Sequence, residues 1–204
     1  MNWHLFYAFL LITMLLVLTP GPIVTLVIAT GASRGLKAAL QTVVGTTLGN
    51  AVLLACIAFG LSWILQASAE VFDYVRWIGA AYLVWLGVQA WRHAGTPVET
   101  KPVAGHVFAW RGFVVAITNP KTIAFFTAFL PQFIDPTLPL TRQLVVMCSV
   151  SVVLAGFIDA GWATVASLGR AVLMKPKHNK LLGRLSGLVL IGGGVWLSLV
   201  RART

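Results

Sequence analysis

The sequence predicts an all-α integral membrane protein with six transmembrane helices. Hydrophobic residues make up 58% of the 204 residues and charged residues only 10%, which is far from the composition of a soluble domain of this length. A helix needs about 20 mostly apolar residues to cross a bilayer. Apolar runs that can form such helices lie at about residues 5–32, 38–66, 74–91, 112–134, 143–168 and 185–200.

Proline motifs interrupt the first and the fourth of these runs. The first contains Thr19-Pro20-Gly21-Pro22 and the fourth contains Thr118-Asn119-Pro120-Lys121. Because proline lacks a backbone donor and clashes with the preceding turn, each motif should break its helix. Backbone groups freed inside a bilayer are tolerated only where protein or a wet cavity satisfies them. Paired breaks in corresponding places of two halves therefore indicate the binding site of a transporter.

The second and fifth runs carry small residues and two cysteines. Gly45 and Gly49 form a small-residue face that lets helix backbones approach closely. Such a face is typical of helix packing, and it also permits a role in lining a substrate path or in forming a homodimer. Cys56 and Cys148 are not part of a Cys-x-x-Cys motif, so we expect two buried structural thiols.

The third and sixth runs share a pattern that relates the two halves. Arg76 and Gly79 have the same spacing as Arg184 and Gly187. Since each half holds three runs, an odd number, the second half must enter the membrane from the opposite side. The sequence therefore predicts one transmembrane domain over 1–204. Its two inverted three-helix repeats lie at about 1–92 and 112–204, joined by an exposed loop at about 93–111.

The distribution of cations argues for a membrane protein rather than a nucleic-acid binder. The net charge is +10, but the cations lie in loops and no basic face is free to follow a duplex. Ten lysines and arginines lie in the loops after the first, third and fifth runs. The other side holds only Arg76, Arg142, Arg201 and Arg203. The positive-inside rule then places these three loops in the cytoplasm and both termini outside.

Asp159 is the one acidic residue that lies well inside an apolar run. A charged aspartate at the bilayer centre costs roughly 2.5–3.5 kcal/mol on insertion scales, so such a residue indicates a proton relay, an ion ligand or an anchor for an ammonium group. The alternative is a buried partner that locks Lys121 in place. At about 1.5 Å per residue from the cytoplasmic ends of their runs, Asp159, Lys121, Asn50 and Pro20 fall in one layer near mid-membrane.

This layer is the expected solute site. Amide groups at a helix break beside Lys121 suit a carboxylate, and Asp159 suits an ammonium group, which together fit a zwitterion. Hydrogen bonding between helices is the alternative role of the two asparagines. The expected binding residues are Thr19, Pro20, Gly21, Pro22, Asn50, Asn119, Pro120 and Lys121, with Asp159 for proton coupling.

The sequence carries no convincing motif for catalysis or metal binding. Gly31-Ala32-Ser33-Arg34-Gly35 matches Gly-x-Ser-x-Gly, but a nucleophile elbow needs a strand before the serine, and this one lies between two apolar runs. The four histidines have no metal-ligand spacing, and no Walker loop occurs. We therefore expect no enzyme, no catalytic residues, no bound metal and no cofactor.

Several stretches are similar to one known family. They are Leu18-Thr19-Pro20-Gly21-Pro22, Ser33-Arg34-Gly35, Trp77 to Gly87, Thr118-Asn119-Pro120-Lys121, Leu130 to Ile134, and Asp159 before Trp162-Ala163-Thr164. In them the chain resembles the LysE/RhtB family of bacterial amino-acid exporters, most of all its homoserine, homoserine lactone and threonine efflux branch. The resemblance implies a multi-pass protein of the bacterial cytoplasmic (inner) membrane that exports amino acids or small derivatives, driven by the proton gradient.

The residues and the resemblance together predict a secondary active exporter of amino acids or small derivatives, with inward proton movement through Asp159. Its partners would be a small amino acid, protons and the lipid bilayer. The alternative is a membrane-embedded thiol–disulfide electron carrier that uses Cys56 and Cys148, whose reactive cysteines should lie beside the proline breaks. A membrane scaffold without transport is the third hypothesis.

Overall fold

The structure, a computed structural model, describes residues 1–67, 69–94, 107–169 and 176–199. Every regular element among these residues is helical, which confirms the predicted all-α class. A 3-10 helix, Leu130–Phe133, follows α6. The α-helices are α1 (Trp3–Leu18), α2 (Pro22–Arg34), α3 (Leu36–Ala67), α4 (Ala69–Arg92), α5 (Val107–Ile117), α6 (Pro120–Phe129), α7 (Leu140–Leu168) and α8 (Pro176–Leu199).

Both proline motifs interrupt their helices as predicted. The chain bends by 46° between α1 and α2 and by 41° between α5 and α6. Pro22 and Pro120 are the first residues of α2 and α6, where proline's missing N–H costs no intrahelical bond. The preceding residues, Gly21 and Asn119, have extended backbones and act as N-caps.

Length and hydropathy identify up to four membrane spans among the described residues. Two helices can cross a bilayer unbroken, α3 over Leu36–Leu61 and α7 over Leu140–Leu168. Each bent pair, α1 with α2 and α5 with α6, also qualifies as one span. In α8 the apolar segment Gly183–Leu199 is shorter. The chain is thus an apolar helical membrane protein, and the six-span count stays a prediction.

Residues 95–106 of the connecting loop lie outside the described part of the chain. The loop was expected at about 93–111, whereas α4 ends at Arg92 and α5 begins at Val107. The C-terminal residues 200–204, which include Arg201 and Arg203, also lie outside the described residues.

Two apolar clusters pack on opposite sides of the two helix breaks. The larger one includes Leu16 of α1, Leu54 of α3, Phe126 of α6 and Cys148 of α7. The smaller one includes residues on the same spans but on the other side of the two breaks: Ile23 of α2, Val43 of α3, Ala116 of α5 and Ala163 of α7. On all four spans the polar residues singled out from the sequence lie between these positions: Thr19, Asn50, Asn119, Lys121 and Asp159.

The glycine face of α3 is used inside the chain. A β-carbon at Gly45 would overlap the backbone of Ala109, and one at Gly49 would lie 2.6 Å from the carbonyl oxygen of Phe113. Both contacts are with α5, so the close approach of α3 and α5 requires glycine. This confirms helix packing, and it removes the face from the surfaces on which a homodimer could form.

Helices α4 and α8 cross at a pair of glycines. A β-carbon at Gly87 would lie 2.7 Å from the carbonyl oxygen of Gly187, and one at Gly187 would lie 2.7 Å from that of Gly87. Glycine at both positions therefore lets the two helix backbones approach closely. By contrast, Gly79 approaches Ala128 of α6. Gly79 and Gly187 therefore do not occupy equivalent contacts, although their spacing from an arginine is the same.

The cysteine expectation is correct for Cys148 and wrong for Cys56. Cys148 is buried on α7, and its thiol lies 3.9 Å from the carbonyl oxygen of Leu54. Cys56 is exposed on the outer surface of α3. The run that contains Cys56 is apolar on every side, so its sequence does not tell which side faces the other helices.

We predict that Gly45→Ala destabilises the protein by about 1–3 kcal/mol, because the added methyl group must push α3 away from α5. The matched control is Gly60→Ala in the same helix, where an added β-carbon meets nothing within 4 Å. That change should be neutral or stabilise by about 0.5–1 kcal/mol, since alanine favours helix. Thermal unfolding in detergent compares the two variants, and equal melting temperatures would contradict the packing described here.

Candidate functional site

A polar cavity lies where the two helix breaks meet α3 and α7. It encloses about 50 Å³, room for about three or four water molecules. The predicted site residues that line it are Thr19, Gly21, Asn50, Asn119, Lys121 and Asp159. The three remaining predicted residues, Pro20, Pro22 and Pro120, form the breaks but do not line the cavity.

The first break leaves the end of α1 with unsatisfied carbonyl groups. The amide of Thr19 donates to the carbonyl oxygen of Leu15 at 3.2 Å. The next donor along the chain would belong to residue 20, but Pro20 has no N–H, so the carbonyl oxygen of Leu16 has no backbone partner from the helix. The Thr19 hydroxyl compensates in part, because it donates to that oxygen at 2.7 Å.

The Lys121 side chain reaches from the second break to the first, where it donates hydrogen bonds to the end of α1. Its Nζ donates to the carbonyl oxygens of Leu16 at 2.7 Å and Thr19 at 2.6 Å, and to Thr19 Oγ1 at 2.8 Å. An ammonium group has three hydrogens, so all three are used. A β-carbon at Gly21 would lie 3.0 Å from Lys121 Cδ, which shows how closely the lysine stem passes the break.

Asn119 caps the second break. Its Oδ1 accepts from the backbone N–H of Lys121 at 3.1 Å, and its Nδ2 donates to Thr122 Oγ1 at 2.8 Å. The backbone N–H of Ile123 donates to the carbonyl oxygen of Asn119 at 3.0 Å. Several groups expected to receive a carboxylate at this end of α6 are therefore already bonded, and an anion must displace a partner to use them.

Asn50 offers a free acceptor. The side chain is buried on α3, 6% exposed, and its Oδ1 has no hydrogen-bond partner. A buried amide oxygen without a partner costs about 1–3 kcal/mol in a folded protein. Because Asn50 lines the cavity, a donor that enters the cavity can remove that cost.

Asp159 faces the cavity from α7 and is 2% exposed. Its Oδ2 lies 3.3 Å from the hydroxyl oxygen of Thr46, which also lies 3.0 Å from the carbonyl oxygen of Val43. A hydroxyl has one hydrogen and donates to one of these oxygens at a time. Lys121 and Asp159 are not directly bonded, and they act on each other electrostatically across the cavity.

The sequence analysis missed Thr46 and Ser151. Thr46 lies one helical turn before Asn50 on α3, and Ser151 lies two turns before Asp159 on α7 and lines the cavity. Residues four apart share a helix face, so the spacing from Asn50 and Asp159 was a usable signal. Ser151 Oγ donates to the carbonyl oxygen of Met147 at 2.7 Å, which satisfies its hydrogen within α7.

Neither cysteine lines the cavity, so the thiol–disulfide hypothesis lacks the cysteines that it requires at the breaks. Within the described residues no group of three or more His, Cys, Asp or Glu side chains is arranged to hold a metal ion. Ser33 lies in the last turn of α2, where its hydroxyl donates to the carbonyl oxygen of Ala29 at 2.6 Å, and not at a strand-to-helix elbow.

A helical membrane protein whose two proline-broken helices enclose a charged polar cavity has the architecture of a membrane transporter. The comparison with protein families agrees with that class. The family model described as "LysE type translocator" matches residues 14–200, so the chain belongs to the LysE family of translocators.

Two relatives of the chain are named as efflux proteins. The chain is 32% identical to the homoserine/homoserine lactone efflux protein of Salmonella typhimurium, over 98% of this chain and 99% of the relative. It is 29% identical to the leucine efflux protein of an Enterobacter species, over 92% of each chain. No solved structure matches the chain.

We predict that Asn119→Ala lowers stability by about 1 kcal/mol, because the Lys121 N–H loses its cap. Asn119→Ser is the matched control, since serine is an equally good N-cap, and it should restore most of the loss. Melting temperatures in detergent measure both variants. If alanine and serine destabilise the protein equally, the cap is not what Asn119 contributes.

Proposed function

We propose that the protein is a secondary active exporter of small zwitterionic amino acids or their derivatives. The observation that supports this most is the cavity at the two breaks. It brings together the Asp159 carboxylate, the Lys121 ammonium and the unpartnered Oδ1 of Asn50. Relatives named for homoserine, homoserine lactone and leucine efflux support an amino-acid substrate. The location we propose is the bacterial inner membrane.

The ammonium group of the substrate binds the acceptor side of the cavity. Among the described residues, the one hydrogen-bond partner of Asp159 Oδ2 is the Thr46 hydroxyl at 3.3 Å, and Asn50 Oδ1 has none. Two buried acceptors, one of them charged, suit a donor with several hydrogens and a positive charge. The substrate ammonium therefore supplies what these two side chains lack.

The carboxylate of the substrate binds Lys121 by exchange. Because the three donors of Lys121 already serve Leu16 and Thr19, a carboxylate must replace at least one of these oxygens. The end of α1 then loses part of the group that satisfies it. Substrate binding and the geometry of the first break are coupled for this reason.

The cavity in this conformation is narrow. A volume of about 50 Å³ is too small for an amino acid with its side chain, so the helices must separate to admit one. The bends at the two breaks are the places where the spans can change direction. We propose that the cavity opens to the cytoplasm to load substrate and to the outside to release it.

Six spans in two inverted repeats fit this mechanism. The two proline breaks occupy corresponding positions in the two halves. This observation supports an inverted relation, with α4 and α8 as the third and sixth spans. The cation-rich loops would then lie in the cytoplasm and both termini outside.

We propose that Asp159 carries the coupled proton. When the carboxylate is charged it holds the substrate ammonium, and a proton that arrives from outside neutralises it and releases the substrate. The charged group that acts on Asp159 is Lys121 on α6, and the Thr46 hydroxyl on α3 is its hydrogen-bond donor. Inward movement of the proton would drive outward movement of the amino acid.

Transport in proteoliposomes tests this proposal. Purified protein is reconstituted and uptake of labelled homoserine, threonine and leucine is measured with and without a pH gradient. We expect Asp159→Asn to lose all stimulation by the gradient, because an amide cannot take up and release a proton in this range. The matched control is Asp135→Asn, in the loop before α7 and outside the cavity, which should keep the stimulation.

Two outcomes would contradict the proposal. If the wild type transports none of the three amino acids, the substrate class is wrong. If Asp159→Asn keeps the full response to the gradient, export remains supported but the proton uses another route.

A further inference from the structure

Three oxygen atoms converge on one point at the end of α1. They are the carbonyl oxygens of Leu16 and Thr19 and the hydroxyl oxygen of Thr19, each within 2.8 Å of Lys121 Nζ. The Leu16 carbonyl lies at the C-terminus of a helix and has no backbone donor because Pro20 follows. The C-terminal end of a helix also carries partial negative charge, which attracts a cation.

The cation that occupies this point belongs to the other half of the chain. Lys121 is 7% exposed, and its ammonium has no carboxylate bonded to it. A buried lysine normally needs a charged partner, whereas here neutral oxygens surround the charge and Asp159 acts only from across the cavity. The site is thus built for a cation rather than for a salt bridge.

Backbone carbonyls at the end of an unwound helix also coordinate sodium in several transporter architectures. Hard cations prefer oxygen ligands of this kind. Asn50 Oδ1 is a further buried acceptor that lines the same cavity. The three oxygens at the end of α1 therefore have the chemistry of a monovalent metal site with an ammonium group in it.

We propose that Lys121 is the resident cation of an oxygen-lined site at the end of α1, formed by the Leu16 and Thr19 oxygens and called the seat below. Removal of the lysine charge converts the seat into a binding site for Na⁺ or a similar monovalent cation. The native protein then takes no metal ion at this point, since the ammonium already fills it. The inference concerns cation binding alone, and it holds whichever substrate is transported and in whichever direction.

Two variants distinguish the loss of the positive charge from the loss of side-chain volume. Lys121→Ala removes the charge and vacates the seat, so Na⁺ can enter. Lys121→Met also removes the charge, but its long apolar side chain still fills the space, so Na⁺ has no room. Both changes leave the oxygens of Leu16 and Thr19 in place.

The measurement is thermal unfolding of the purified protein in detergent, in NaCl, KCl or N-methylglucamine chloride at equal ionic strength, so that screening is the same in each. We expect the melting temperature of Lys121→Ala to rise by about 2–4 °C or more in NaCl or KCl relative to N-methylglucamine. The wild type and Lys121→Met should show no difference between the salts.

A second change tests the ligands. Adding Thr19→Val to Lys121→Ala removes the hydroxyl oxygen and should reduce the rise. The proposal is overturned if Lys121→Ala shows no cation-specific rise, if it fails to fold in every salt, or if Lys121→Met shows the same rise. A rise in the wild type would also overturn it, because the seat would then not be filled by the lysine. Lys121→Ser repeats the test with a second small side chain.

Discussion

The centre of this protein depends on one constraint: a carbonyl group inside a membrane must find a donor. Pro20 removes the backbone N–H that the Leu16 carbonyl would have used, and no lipid can replace it. Lys121, a residue from the other half of the chain, supplies the donor at 2.7 Å. The Thr19 hydroxyl also donates to this oxygen, so the break in α1 is satisfied partly from within the first half and partly by the second. The two halves meet in a polar cavity because one completes the hydrogen bonding of the other.

The apolar packing determines where along the helices the two halves come together. Leu16 and Cys148 belong to the larger cluster, and Ile23 and Ala163 belong to the smaller one on the other side of the breaks. Close-packed side chains leave little room for water, and the cavity lies between the two clusters, with Leu16 of one and Ile23 of the other in its lining. An unsatisfied acceptor there, such as Asn50 Oδ1, is costly, so a donor that enters the cavity would stabilise the folded protein.

The sequence was sufficient for the breaks and for which side chains share a layer, since both follow from proline chemistry and helix rise. The sequence did not predict which groups these side chains bond to. The lysine was expected to receive a carboxylate, yet Lys121 bonds to α1, because no local pattern indicates which distant carbonyl lacks a donor. Likewise Gly45 and Gly49 predicted a close contact but not that α5 would make it. Uniformly apolar helices hide their orientation, which is why the exposed side of Cys56 was misjudged.

The position of Lys121 changes how charge recognition at this site must operate. A free lysine would bind any carboxylate that reached it, and binding would leave the helices unmoved. Here the same ammonium holds the end of α1, so an anion gains a bond only when α1 loses one. Because a ligand shifts a conformational equilibrium only through its different affinity for the two states, this competition is a physical source of that difference. A zwitterion can offset the loss by pairing its ammonium with Asp159, whereas a simple anion cannot. On the proposed function, selection for both charges at once would follow from this competition.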